Sequence, residues 1–135
     1  MKRLYLLGFL LVFLGCEKAK EKIGENLVMQ ALTDGQWVIT KYEKNGYEMV
    51  GEFADYRWQF RTNHSVEAIK SGTVERTGTW QENVDAMTMT TNFPGSTHPV
   101  SLMNGIWEIT DHGWTYVDAK QTVNGELVLL HLEKQ

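Results

Sequence analysis

From Gln36 onward, apolar and polar residues alternate with a period near two, and turn-forming residues interrupt the alternation roughly every 8–12 positions. "QWVITKYEK" (36–44) is rich in β-branched and aromatic residues and runs into Asn45-Gly46, a pair suited to a hairpin turn with φ > 0 at both central positions. "YEMVGEF" (47–53) returns. "DYRWQFRT" (55–62) sets Tyr56, Trp58 and Phe60 on one face against Arg57, Gln59 and Arg61 on the other. Further strands are expected in "SVEAIKSG", "VERTGTWQE", "AMTMTTNF" (86–93), "VSLMNGIWEIT", "WTYVDAKQT" and "ELVLLHLEK". Asn63-His64, Asn83-Val84-Asp85, Asp111-His112-Gly113 and Asn124-Gly125 mark turns, Asn104-Gly105 breaks "VSLMNGIWEIT", and "FPGSTHP" (93–99) is the longest loop. No segment after residue 33 has a helical pattern long enough to cross between parallel strands, so the sheet should be antiparallel. The pattern predicts an all-β chain: an up-and-down barrel of about eight strands, its last strand closing on its first. Ahead of it, Leu27/Ala31 and Val28/Leu32 pair at i,i+4, which predicts a short helix over 27–32 ended by Asp34-Gly35.

The N-terminus follows a different pattern. Lys2 and Arg3 precede the apolar stretch Leu4–Leu14, and Gly15-Cys16 follows. A positive start, an apolar run of about 7–15 residues and a small residue at the cut describe a secretory leader. The run is too short for a spanning helix, which needs about 20 residues. Because the chain's one cysteine sits at this point, "FLGC" (13–16) resembles a bacterial lipoprotein signal, with Phe13 where leucine is commoner. The resemblance implies cleavage before Cys16, a diacylglycerol on its thiol and an acyl group such as palmitate on its amine. Two or more chains anchor stably where one does not. The alternative is an ordinary leader with an incidental free thiol. Removing residues 1–15 takes Lys2 and Arg3 from the 13 basic residues and leaves 11 against 17 acidic, a net charge of −6. "EKAKEKIGEN" (17–26) is charged with little to bury and reads, with Cys16, as a solvated tether. The expected organisation is therefore a leader (1–15), a tether (16–26) and a barrel domain (27–135), anchored in the bacterial cell envelope, most simply at the outer membrane.

Composition narrows the function. A net charge of −4 without any basic stripe argues against nucleic acid. The tryptophans are spaced in a recurring way: Gly35-x-Trp37, Gly78-x-Trp80 and Gly105-x-Trp107, with "YRWQF" between the first two. This ordered set, from Leu27 to Lys134, resembles the lipocalin-like domain of small bacterial lipoproteins. Leu102 lies five positions before Trp107, where that family has four. The resemblance implies an eight-stranded closed or half-open barrel. In true lipocalins the opening tryptophan plugs one end beneath an arginine of the last strand. Here no arginine follows Arg76, and Lys134 is the basic residue near the end. On physical grounds alone, Gly35, Trp37, Trp80 and Trp107 are expected to close the barrel, since glycine permits a tight strand start and tryptophan buries a large area.

Chemistry is sparse. His64, His98, His112 and His131 show no metal-ligand spacing, and no nucleophile or phosphate-loop motif occurs, so neither metal, cofactor nor enzymatic activity is expected. The positive candidate is the interior. Trp58/Phe60, Met87/Met89 and Trp114/Tyr116 form i,i+2 pairs that would each face one way, and a barrel of eight strands is just wide enough for one small ligand or a filled core. The rival reading, from a different class, is a module that binds or inhibits an envelope protein through the loop at 94–99.

Overall fold

The computed structural model describes residues 27–135; the leader, Cys16 and the tether lie outside them. Nine strands follow one another: β1 (Trp37–Lys44), β2 (Tyr47–Glu48), β3 (Tyr56–Phe60), β4 (Ser65–Lys70), β5 (Thr73–Asn83), β6 (Thr88–Asn92), β7 (Gly105–His112), β8 (Tyr116–Val123) and β9 (Glu126–Lys134). Each pairs antiparallel with its neighbour in the order β2-β1-β3-β4-β5-β6-β7-β8-β9. The last strand returns to the first, from Trp37↔Lys134 to Lys44↔Val128. The two-residue β2 is an arm outside the ring, so eight strands close the barrel. Closure satisfies the ladder groups that an open edge would leave unpaired.

The hairpins form as the turn residues require. Asn45-Gly46 and Asn124-Gly125 both take φ > 0 at their two central positions, and Ser71-Gly72 does the same. Two segments depart from the alternating pattern. The returning strand expected over 47–53 pairs only at Tyr47 and Glu48, and Val50–Phe53 winds into a 3₁₀ turn. The strand expected from Val100 begins at Gly105 instead, behind a second 3₁₀ turn, Val100–Met103. In each turn two apolar residues three apart face the same way, because 3₁₀ side chains at i and i+3 eclipse. Phe53, Val100 and Met103 are buried as a result.

The seam between β1 and β3 is light, with one pair, Trp37↔Trp58. Phe53 packs across the gap, its ring 5.1 Å from Tyr42 and 6.3 Å from Trp58. The interior is full. Trp37, Trp58 and Trp107 are 0% exposed, and Phe60, Val66, Ala68, Met89, Ala119, Leu130 and Leu132 fill the space between them. A tryptophan buries roughly 150–250 Å², on the order of 5 kcal/mol of transfer free energy before conformational entropy is charged. The helix, residues 27–33, packs across one end, with Leu32 turned into the core.

Candidate functional site

Three tryptophans fasten the ends of the barrel. Gly35 takes φ +79° at the corner where the helix gives way to β1, and Trp37 follows beneath the helix. Its indole N–H donates to Leu32 O at 2.9 Å. The N–H of Trp80 donates to Arg61 O, 3.0 Å away in the β3–β4 turn at the same end. The N–H of Trp107 donates to Met103 O at 2.9 Å, in the 3₁₀ turn that covers the far end. Thr91 donates to the same carbonyl, and Tyr42 donates to Leu102 O at 2.8 Å. Each indole therefore ties a strand to a closing segment. Lys134 supplies the cation above Trp37, with Nζ 5.1 Å from the ring centroid and 3.5 Å from Asp34 Oδ2.

Between the helix and the rim of the barrel lies a cleft of about 260 Å³. Leu27, Val28, Ala31 and Leu32 form its roof. Trp37, Met89 and Val117, all buried, form its floor. Its walls come from Val84 and Met87 of the β5–β6 turn, the adjoining strand ends, and Ile109, His112 and Gly113 beside the β7–β8 turn. Most of the lining is aliphatic or thioether. Its one carboxylate is Glu82, whose side chain is 12% exposed. Glu82 Oε2 is buried and accepts no hydrogen bond among the described residues. His64 Nε2 stands 3.2 Å from it but is better aimed at Oε1, 3.4 Å away, and it carries charge only when protonated.

The structure brings together only some of the residues predicted to face a ligand. Trp58 and Phe60 point inward but are packed on all sides, with Trp58 stacked on Tyr56 at 5.8 Å and edge-on to Phe93 at 5.7 Å, whereas Met89 points inward and forms part of the cleft floor. The expected inward pairing of Met87 with Met89 does not form. Asn83 Oδ1 accepts from the Ala86 amide at 3.1 Å, the chain turns through Met87 at φ 53°, and β6 starts one residue later. Met87 thus leaves the interior and lines the cleft. Trp114 and Tyr116 also do not face inward. β7 continues to His112, Trp114 sits in the following turn at 57% exposure, and β8 directs Val117 and Ala119 to the core. Tyr116 lies outside, stacked on His131 at 6.0 Å. The filled interior leaves no room for two more aromatic rings. The cleft itself was missed because its lining comes from four separated segments, and periodicity reads one segment at a time.

Two further histidines sit against carboxylates. His98 contacts Glu52 at 2.7 Å, and His131 contacts Asp118 and, at 3.2 Å, Glu133. Burial lowers the pKa of His131, but the hydrogen bonds and charges of those two carboxylates outweigh it and hold it above 6.5. Among the described residues, no three His, Cys, Asp or Glu side chains are placed to share a metal ion.

The architecture is that of an eight-stranded closed antiparallel barrel, loosely lipocalin-like, with a helix across one end. No protein-family profile and no curated protein sequence matches the chain. In fold it is similar to the crystal structure of a DUF4847 family protein from Bacteroides vulgatus, with a TM-score of 0.57 and 12% identity over 80% of this chain and 99% of that one. A likeness at that identity concerns the fold alone.

Proposed function

We propose that this chain is a lipid-anchored protein of the bacterial cell envelope, held at the outer membrane through Cys16, whose barrel is a rigid frame for a small apolar ligand bound in the cleft under the N-terminal helix. The cleft carries this reading. It is apolar and partly enclosed, and its roughly 260 Å³ exceeds the ~150 Å³ that suffices to hold benzene in an engineered cavity. Met87 and Met89 give it walls that adapt to more than one shape. The lipoprotein-like "FLGC" and the charged tether support the anchor, and only ten residues separate Cys16 from Leu27 of the cleft roof.

The test uses the full chain secreted without lipid as Cys16→Ser, titrated with nile red. Fluorescence should rise at micromolar dye and should fail to rise in Ala31→Phe, whose ring would fill the roof side of the cleft. No enhancement in either protein overturns the ligand reading. The anchor is tested separately: Cys16 of the native protein should carry diacylglycerol by mass spectrometry, and an unmodified thiol overturns it.

A second reading, recognition of an envelope protein, is favoured by the exposed loop at 94–99. That loop is held in place: Phe93 N donates to Asn104 Oδ1 at 2.7 Å, Asn104 Nδ2 donates to Ser96 Oγ at 3.4 Å, and His98 contacts Glu52. Rigid loops on barrels suit recognition. Deleting 94–99 should then abolish capture of a specific partner from solubilised envelope.

A further inference from the structure

We infer that the cleft selects an amphiphile with an aliphatic tail and a hydrogen-bond-donating head group, an amine or a hydroxyl, over one with an anionic head. The inference rests on the cleft being a ligand site and adds which ligand it takes. The tail follows from the walls: leucine, valine, alanine, isoleucine and methionine surround most of the space. The head follows from charge. Glu82 is the one acid among the lining residues, and its carboxylate is mostly withdrawn from water. A buried carboxylate oxygen without a hydrogen bond is an unmet acceptor, and its charge is screened far less than a surface charge. His64 offsets that charge only when protonated. An incoming carboxylate or phosphate would therefore meet like charge across a low-dielectric gap. An ammonium or hydroxyl would bring the donor that Glu82 Oε2 lacks. Thr88 and the exposed ring of His112 remain as polar contacts for the outer part of the head.

The experiment compares decylamine, decanol and decanoate, which share one tail, by isothermal titration into the full-chain Cys16→Ser protein and its Glu82→Gln counterpart at neutral pH. Decylamine should bind at least tenfold more tightly than decanoate, with decanol between them. Glu82→Gln should compress the amine-to-carboxylate ratio to within about threefold, because a neutral amide removes the charge and keeps the shape. Equal binding of all three by the parent protein overturns the head-group inference and leaves the cleft as a site for tails. Binding of none of them overturns the cleft reading itself. An unchanged ratio in Glu82→Gln overturns the role of Glu82 even if the preference is real.

Discussion

Gly78→Ala examines how the barrel closes around its contents. Gly78 lies on β5, two residues before Trp80, and its missing side chain would point inward. A Cβ built there would stand 2.3 Å from Asn92 O and 2.8 Å from Phe93 Cδ1, closer than the 3.0 Å below which real Cβ atoms essentially never approach other atoms. Neither neighbour is a loose end. The carbonyl belongs to the last β5–β6 pair, Thr79↔Asn92, and the Phe93 ring is wedged against Trp58. Overpacking of this kind costs about 1–3 kcal/mol. Relief by expelling Phe93 would forfeit the burial of its ring, roughly 1.5–3 kcal/mol. Either route points to about 2 kcal/mol, which for a domain near this size lowers Tm by about 8 °C. Gly51→Ala is the control: a Cβ there has nothing within 4 Å, and its effect should stay within about 0.5 kcal/mol. Both would be followed by circular dichroism on heating and by urea unfolding. A Tm for Gly78→Ala within about 3 °C of the parent, with an unchanged m-value, would refute the packing of Phe93 over β5.

Replacing Lys134 by Met should cost about 1 kcal/mol in urea unfolding, the worth of a largely buried cation over Trp37, whereas Lys134→Arg should cost little. Asp34→Ala should cost under about 0.5 kcal/mol because Asp34 is exposed; an equal loss would make the ion pair the dominant contact. Burial, reinforced by the Glu52 charge for Tyr42 and by the hydrogen bond and charge of Glu75 for Tyr56, lifts both phenols to about 12. Their raised values mean stability that is complete below pH 10 and is lost as pH climbs from 10 towards 12; phenolate absorbance from Tyr42 and Tyr56 rising with a midpoint of 10 would contradict this. For His131 the same sign holds at lower pH: its contribution is present below 6.5 and disappears as pH rises through its elevated value, which imidazole proton shifts report directly.

Much of the barrel was legible because its strands are half-buried and antiparallel, so each wrote its inward face as an alternation. Tyr56-x-Trp58-x-Phe60 is the clearest instance, and all three residues are buried. The Asn-Gly pairs fixed two turns through backbone sterics alone. The two 3₁₀ turns were not legible, since Val50–Phe53 and Val100–Met103 contain enough apolar residues to pass for strand. The phase of β8 was misread for a related reason: Trp114 and Tyr116 are the larger side chains, but the filled core accepts the smaller Val117 and Ala119. Lys134 taking the place above Trp37 follows from register, because Trp37↔Lys134 is the first pair of the closing ladder. The cleft depends on how a helix, two turns and two strand ends meet, and no local pattern encodes that meeting.

Backbone amide resonances of the Cys16→Ser chain, followed as decylamine is added, test the central claim most directly. A ligand held under the helix should move signals within 27–33, 82–89 and 109–117 and leave interior positions such as Ala68 and Leu130 in place. Shifts spread through the barrel interior, or none at saturating amine, would contradict a filled barrel that carries its ligand at the rim.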